Sequence, residues 1–151
     1  FSAAFGRSEQ ILIQGKKAKI FLIKNPTGAN EVLRVLALQD KINLFVALND
    51  NFADGRDVSW IWDTNWEVLS GKIKSVAVSG IRAWDMATRL KYAGIKLSKK
   101  EIDEDINYSL DFTVKNMNSQ EPLIILPTYT ALLEIKKIIS KSERNLKWHE
   151  D

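Results

Sequence analysis

The chain has 151 residues, 45% of them hydrophobic, and its 22 basic and 19 acidic residues leave a formal net charge of +3. These values are typical of one globular domain with its own core; a nucleic-acid-binding protein instead clusters its basic residues on one face, and no apolar run approaches the ~20 residues of a membrane span. Because the chain has no cysteine and only one histidine, His149, we expect no disulfide, no thiolate or histidine-rich metal site, and no catalytic triad completed within the chain.

The first predicted elements are two strands and a helix. Residues 11–13 and 18–23 are β-type runs separated by a glycine and two lysines, which predicts a hairpin or a strand pair. The proline after Asn25 biases that residue away from helical geometry, and Thr27 is the predicted N-cap of a helix to about Leu38. The spacing of the residues around Asn25 and Thr27 is typical of an ordinary strand–turn–helix junction. The functional alternative is that this loop faces a ligand.

A buried strand over residues 43–48 leads into the densest polar stretch of the chain, residues 49–63, which we term the acidic loop. It contains four aspartates, one arginine and two tryptophans, and Gly55 lets its backbone turn. Open α/β sheets bind ligands outside the carboxyl ends of their strands. Asp57, between Arg56 and an apolar run, is therefore the first candidate for a functional residue.

Strands and helices continue to alternate after the acidic loop. Residues 64–69 predict a short helix, and residues 73–79 predict a strand. Ser79 is the predicted N-cap of a helix over residues 81–93, and Gly94 is well placed to end that helix.

The pattern becomes ambiguous near residue 100. A short strand is predicted at residues 95–97. Ser98 and Glu101 have the spacing of a capping box, but residues 101–102 could equally form an edge strand. The last predicted elements are a helix over 105–115, a strand over 123–126, a helix from 127 to about 140 and a polar tail over 142–151.

This alternation predicts an α/β fold of three layers, Rossmann-like, with a mostly parallel twisted sheet and helices on both faces. Right-handed crossovers place the carboxyl ends of parallel strands on one side. Four segments should therefore share one rim of the sheet: residues 25–26, 49–63, 80–82 and 128–129. The candidates there for contacts with a nucleotide, a substrate or a partner are Asn25, Asn49, Arg82, Thr128 and Tyr129.

Six stretches of the chain form a recognisable set. They are AFGR at residues 4–7, KNPTGAN at 24–30, LNDN at 48–51, ADGRDVSWIWD at 53–63, SGIRA at 79–83 and LPTYTALL at 126–133. In this order they resemble the C-terminal domain of the MurT family, the Mur-ligase-like subunits of the MurT–GatD amidotransferases of Gram-positive bacteria. The stretch at 24–30 is also similar to the His-Asn-Pro loop of Mur ligases, with Lys24 where those loops have histidine.

The resemblance implies a single domain of the Mur ligase C-terminal type over residues 1–151, and the start at Phe1 leads us to expect a fragment of a longer chain. It implies a cytoplasmic enzyme, acting at the inner face of the membrane, that amidates D-isoglutamate of the lipid II stem peptide to D-isoglutamine. ATP and Mg²⁺ would bind mainly outside this domain, and the isolated domain should be inactive. The implied partner is a GatD-like glutaminase, which supplies ammonia from glutamine and forms a heterodimer with the ligase subunit.

The resemblance also implies a role for Asp57: the matching aspartate completes the Cys-His pair of the glutaminase across the subunit boundary. Asp54 and Asp63 are the competing acids, with structural alternatives. Asp54 could stabilise the turn at Gly55, and Asp63 could cap the short helix that follows. Arg56 is expected to orient Asp57 or to meet the partner.

Two questions stay open at this point. Trp60 and Trp62 are two residues apart, so on an extended strand they would face the same way, either as core residues or as an anchor against another subunit. The chain could also belong to a stand-alone Mur-type peptide ligase without a glutaminase, or be a non-catalytic docking module whose rim only binds a partner.

Overall fold

A computed structural model describes residues 8–118 and 120–150, with side chains up to residue 144. Its strands are β1 (Glu9–Ile13), β2 (Lys16–Ile20), β3 (Ile42–Ala47), β4 (Ile73–Ser79), β5 (Ile102–Asp103) and β6 (Leu123–Pro127). Its α-helices are α1 (Pro26–Leu36), α2 (Ala83–Tyr92), α3 (Ile106–Asn116) and α4 (Tyr129–Glu150). The AFGR stretch at residues 4–7 and the side chain of His149 lie outside this description.

The six strands form one sheet in the order β1-β2-β6-β3-β4-β5. Only β1 is antiparallel to its neighbour; β2, β6, β3, β4 and β5 run parallel to one another. The predicted α/β fold with a mostly parallel sheet is therefore confirmed, and the predicted hairpin is the β1–β2 pair.

The two faces of the sheet carry separate hydrophobic layers, and β3 in the centre serves both. Leu44 and Val46 pack with α1, α2 and the segment that follows the acidic loop. Phe45 and Ala47 pack with α3 and α4 on the other face. β3 is buried throughout, and because it is covered on both faces, all its residues except Asn43 are apolar.

The start of α1 differs from the prediction. The N-cap is Asn25 rather than Thr27: Asn25 has an extended backbone, and its Oδ1 accepts a hydrogen bond from the Gly28 N–H at 2.9 Å. Pro26 takes the first helical position, where its missing N–H removes no bond. The two residues thus divide the tasks of capping and starting the helix.

The start of α2 was also predicted too early. β4 extends to Ser79, whose hydroxyl is buried and has no hydrogen-bond partner among the described residues, so Ser79 does not cap the helix. Gly80 then turns the chain with φ of +91°, and α2 begins at Ala83. Gly94 follows the helix with φ of +89°, as expected for a glycine that ends a helix.

Differences also occur around residue 100 and at the C-terminal end. No strand forms at residues 95–97; instead, the Ser98–Glu101 capping box and the edge strand β5 both exist, one directly after the other. Helix α4 continues to Glu150 rather than ending near residue 140, so the predicted polar tail is helical over most of its length. No helix in the described part of the chain combines the length and the apolar character needed to cross a bilayer.

Candidate functional site

The predicted rim exists, and hydrogen bonds join its segments. The Asn49 backbone N–H donates to Thr128 Oγ1 at 2.9 Å, and Asn49 Oδ1 accepts from the Ile81 N–H at 2.9 Å. The chain after β2 reaches the same edge, because the Ile23 N–H donates to the Pro127 carbonyl at 3.0 Å. Asn49 is buried, so its predicted role as a ligand contact gives way to a structural one: it joins three rim segments.

Gly80 allows this close packing. A Cβ atom at Gly80 would lie 2.6 Å from the Leu48 carbonyl oxygen and 2.8 Å from Asn49 Oδ1. Real Cβ atoms do not approach a backbone oxygen so closely, and φ at Gly80 is positive as well. The base of the acidic loop therefore rests directly on the turn between β4 and α2.

Asp54 fastens the acidic loop to the start of α4. Its Oδ1 accepts from the Thr130 N–H at 2.7 Å, and its Oδ2 accepts from the Thr130 hydroxyl and from the Asn51 N–H. Asn49 and Asn51 also donate side-chain N–H groups to Thr130 Oγ1. The structural alternative for Asp54 is thus favoured, although the bonds reach well beyond the turn at Gly55.

Asp57 is held differently. Its Oδ1 accepts from the Ser59 N–H at 2.8 Å, and the side chain is exposed to solvent. Hydrogen bonds from the Ser59 hydroxyl and backbone N–H lower the pKa of Asp57 below its ordinary value. The carboxylate is therefore ionised, oriented by a single neighbouring residue, and accessible to an approaching group.

The segment after Asp57 is a turn of 3-10 helix over Ser59–Asp63, so the extended strand on which Trp60 and Trp62 would face the same way does not form. Val58 and Ile61, three residues apart, are both buried, which matches the three-residue repeat of a 3-10 helix. The tryptophans consequently do not face the same way. Trp60 is half-buried against the core, whereas Trp62 is 48% exposed.

Arg89 of α2 is the main site residue that sequence reasoning missed. Its guanidinium is buried and donates to the Ile61 carbonyl at 2.9 Å and to the Thr64 carbonyl at 2.8 Å. It also pairs with Glu67 at 2.8 Å, which lowers the pKa of Glu67. The Trp62 ring lies 5.2 Å from the guanidinium carbon. Arginine residues are mostly exposed at the protein surface, and no local feature of the sequence indicates that Arg89 is buried.

The remaining candidates have simpler surroundings. Arg82 is half-buried between Asp85, at 2.7 Å, and Asp50, at 3.0 Å; these two carboxylates raise the pKa of Arg82. Asp63 ends the 3-10 turn and is exposed; the following 3-10 helix over Trp66–Leu69 has Asn65 at its N-cap position, so Asp63 does not cap it. Arg56 is exposed as well.

The last three rim candidates follow the neighbouring strands β2 and β6. Thr128 is buried and accepts from Asn49, so it is a structural residue. Tyr129 is 47% exposed at the start of α4. Asn25 is exposed, but its side-chain oxygen is engaged in capping α1. Among the described residues, no group of three histidine, cysteine or acidic side chains is arranged to hold a metal.

The rim thus combines a rigid base with one accessible, oriented carboxylate, in a chain without cysteine. Comparison with known proteins supplies the context. Residues 22–132 match the family described as MurT ligase C-terminal. The chain belongs to this family. The resemblance of the six stretches to MurT C-terminal domains is therefore confirmed.

Similar proteins carry the name "Lipid II isoglutaminyl synthase (glutamine-hydrolyzing) subunit MurT". The Streptococcus pneumoniae protein is 36% identical over 145 residues, which cover 93% of this chain and 32% of the relative. The protein from Staphylococcus aureus strain COL is 35% identical over 139 residues, covering 91% of this chain and 31% of the relative. The MurT C-terminal chain thus spans about a third of the length of these relatives.

Proposed function

We propose that this chain is the C-terminal domain of the ligase subunit of a glutamine- and ATP-dependent amidotransferase. The enzyme would convert D-isoglutamate of the lipid II stem peptide to D-isoglutamine, at the inner face of the membrane. Within it, Asp57 would complete the Cys-His pair of a GatD-like glutaminase subunit. The family membership and the names of the relatives support the general role.

The proposed role of Asp57 rests on the exposure, charge and orientation of its carboxylate. Its carboxylate is exposed, ionised and fixed in direction by Ser59. Asp54, the other strong candidate, uses both carboxylate oxygens to hold the loop on Thr130. Of the two acids, only Asp57 can therefore turn a carboxylate towards another subunit without dismantling the rim.

The chemistry gives such a carboxylate a role in glutamine hydrolysis. A thiol nucleophile needs an imidazole base, and that base needs a carboxylate that fixes its tautomer and stabilises the imidazolium. Asp57 would accept a hydrogen bond from the imidazole N–H that faces away from the thiol. This chain offers a carboxylate but no thiol, so it can contribute the third member and not the first.

In this proposal, ATP and Mg²⁺ bind mainly to parts of the full-length subunit that lie outside this chain. The described residues provide no cluster of acids for a metal, and Asn25 at the Mur-ligase-like loop is engaged in capping α1. The residues of this chain would therefore close over the activated carboxylate rather than activate it.

The test is Asp57→Asn in the full-length ligase subunit, assembled with its glutaminase partner. Asparagine can still accept the Ser59 N–H bond, so the loop keeps its shape while the charge is lost. We expect glutamine hydrolysis to fall by about 10³- to 10⁴-fold in kcat, as when the aspartate of a serine protease triad is changed to asparagine. Complex formation, measured by size-exclusion chromatography, should be unchanged.

Asp63→Asn is the matched control, because Asp63 is an exposed aspartate of the same loop. Its rate should equal that of the wild type. Normal hydrolysis by the Asp57→Asn complex would refute the role of Asp57. If rim variants at Trp62 then abolished assembly while all carboxylate variants kept full activity, the docking-module alternative would be favoured.

A further inference from the structure

The turn over Ser59–Asp63 is held by a charged side chain from a different element of the fold. Arg89 lies in the last turn of α2 and is 4% exposed. Burying a guanidinium in a protein interior is unfavourable unless its donors are satisfied. Its environment shows which groups satisfy it, and most of them belong to this one turn and the residues just after it.

Three side-chain hydrogen bonds act at the carboxyl-terminal end of the turn, two of them from Arg89. Arg89 Nε donates to the Ile61 carbonyl, and Arg89 Nη2 donates to the Thr64 carbonyl. The Trp66 indole N–H donates to the same Ile61 oxygen at 3.2 Å. The Ile61 carbonyl also accepts a long bond from the Thr64 N–H at 3.4 Å, and the Thr64 carbonyl accepts from the Trp66 N–H at 3.0 Å, so the guanidinium adds to the backbone bonds at the end of the turn.

Two further contacts keep the guanidinium itself in place. Glu67 provides the counter-charge at 2.8 Å. Trp62 covers the guanidinium, and the Trp62 ring meets Tyr92 edge-on at a centroid distance of 5.7 Å. The planar fork of arginine can bind two carbonyls and stack on an aromatic ring at once, which a lysine ammonium cannot do.

The amino-terminal end of the same turn holds Asp57. Ser59 is the first residue of the turn, and its N–H orients the Asp57 carboxylate. Arg89 therefore fixes one end of a five-residue turn whose other end sets the direction of the exposed acid. No other described hydrogen bond connects Asp57 to the body of the protein.

We propose that Arg89 and Ser59 form a positioning unit for Asp57, in which Arg89 fixes the turn and Ser59 fixes the carboxylate to it. The inference rests on the proposed function of Asp57 and goes beyond it. In this proposal both residues act through Asp57. Their contribution should appear in the rate of the chemical step, not in substrate binding.

The test uses the full-length ligase subunit in complex with its glutaminase partner. Arg89→Lys keeps the positive charge but loses the fork, so we expect kcat for glutamine hydrolysis to fall about tenfold with KM unchanged, because small misplacements of a catalytic group have large effects on rate. Ser59→Ala keeps the backbone N–H bond and should lower kcat about tenfold, as for the loss of one hydrogen bond to a charged group.

A double-mutant cycle separates positioning from lost stability. In the Asp57→Asn background, Arg89→Lys and Ser59→Ala should cause no further loss, because the group on which they act is already gone. Ile135→Val is the stability control: Ile135 is buried on the opposite face of the sheet, and its change should leave kcat unaltered.

The outcomes distinguish the inference from the proposal beneath it. A slow Asp57→Asn enzyme with normal Arg89→Lys and Ser59→Ala enzymes refutes the positioning unit alone. Losses that multiply with that of Asp57→Asn refute it as well. Normal hydrolysis by Asp57→Asn refutes the proposed function and the positioning unit together. If Arg89→Lys prevents assembly, Ser59→Ala decides, because removing an exposed hydroxyl leaves no cavity.

Discussion

Two loops leave the same rim of the sheet and have opposite characters. Residues 21–25 connect β2 to α1 directly, and Asn25 caps the helix that follows. The acidic loop, residues 49–63, leaves β3 and makes two 3-10 segments before the chain returns towards β4. The short loop is a junction, whereas the long one is a small structure of its own.

The difference shows that a place on the rim is not enough to make a functional loop. In the short loop the polar side chain of Asn25 serves the local helix. In the long loop, Asn49, Asp54 and the distant Arg89 provide the support. Because these residues support the loop, Asp57 stays exposed and oriented. A functional side chain on a loop needs other residues that hold the loop in shape.

The largest expected effect concerns the base of the acidic loop. Gly80→Ala should destabilise the isolated chain by about 3 kcal/mol, because a side chain at positive φ is strained and its Cβ would collide with the Leu48 carbonyl. Urea denaturation followed by tryptophan fluorescence measures the change. Gly71→Ala is the control, since Gly71 also has positive φ but nothing lies within 4 Å of the added Cβ; it should lose only about 1 kcal/mol. Equal losses would mean that the loop base is not tightly packed.

The second effect compares Asp54 and Asp63, for which the sequence could not distinguish a structural from a catalytic role. Asp54→Ala should lower the free energy of unfolding by about 2 kcal/mol, because α4 loses its cap at Thr130 and the loop loses its main bonds. Asp63→Ala, at an exposed site, should change it by less than about 0.5 kcal/mol. Denaturant titration of the two variants side by side gives the comparison. Similar losses in the free energy of unfolding for the two variants would contradict the structural role of Asp54.

The third effect tests the short loop. Asn25→Ala should destabilise the chain by about 1 kcal/mol through the lost cap of α1, and Asn25→Ser, which can still cap, should restore most of it. Both are measured by thermal denaturation in the same buffer. A loss as large as that of Asp54→Ala would contradict the contrast between a local junction and a loop with long-range support.

The smallest effect is a titration. The pKa of Asp57 lies below its ordinary value of 3.8, first because of the Ser59 hydroxyl, so Ser59→Ala should raise it towards that value. A folded-state pKa below the unfolded one means that any stabilisation is present above the ordinary pKa and lost as the pH falls through the folded one. Carboxyl NMR signals followed against pH measure the shift. An identical pKa in the variant would show that the hydroxyl does not hold the carboxylate.

Sequence reasoning could predict the sheet and the rim because these follow from local patterns. The apolar run at 43–48, the glycine at position 94 and the alternation of elements each indicate structure within a few residues. Asn25 and Thr27 were confused because both are good N-caps, and only the observed backbone of Asn25 decides between them.

The support of the acidic loop could not be predicted, because its parts are distant in sequence. Arg89 and Ile61 are separated by 28 positions, and Asp54 and Thr130 by 76. The 3-10 turn also depends on the burial of Val58 and Ile61 against the core. The residue pattern of the segment alone does not show that these two side chains face inward together. Asp57 became a candidate through its place in the polar loop after a buried strand, and family resemblance gave it a role, whereas its exposure and orientation came from the structure.

The two-residue strand β5 has a consequence for self-association. An edge strand exposes backbone N–H and carbonyl groups that can pair with another chain, and short edges limit this risk. β5 pairs with only the last two residues of β4 before the chain turns into α3. β5 itself is too short to template the addition of a foreign strand, which limits intermolecular β-pairing at this strand.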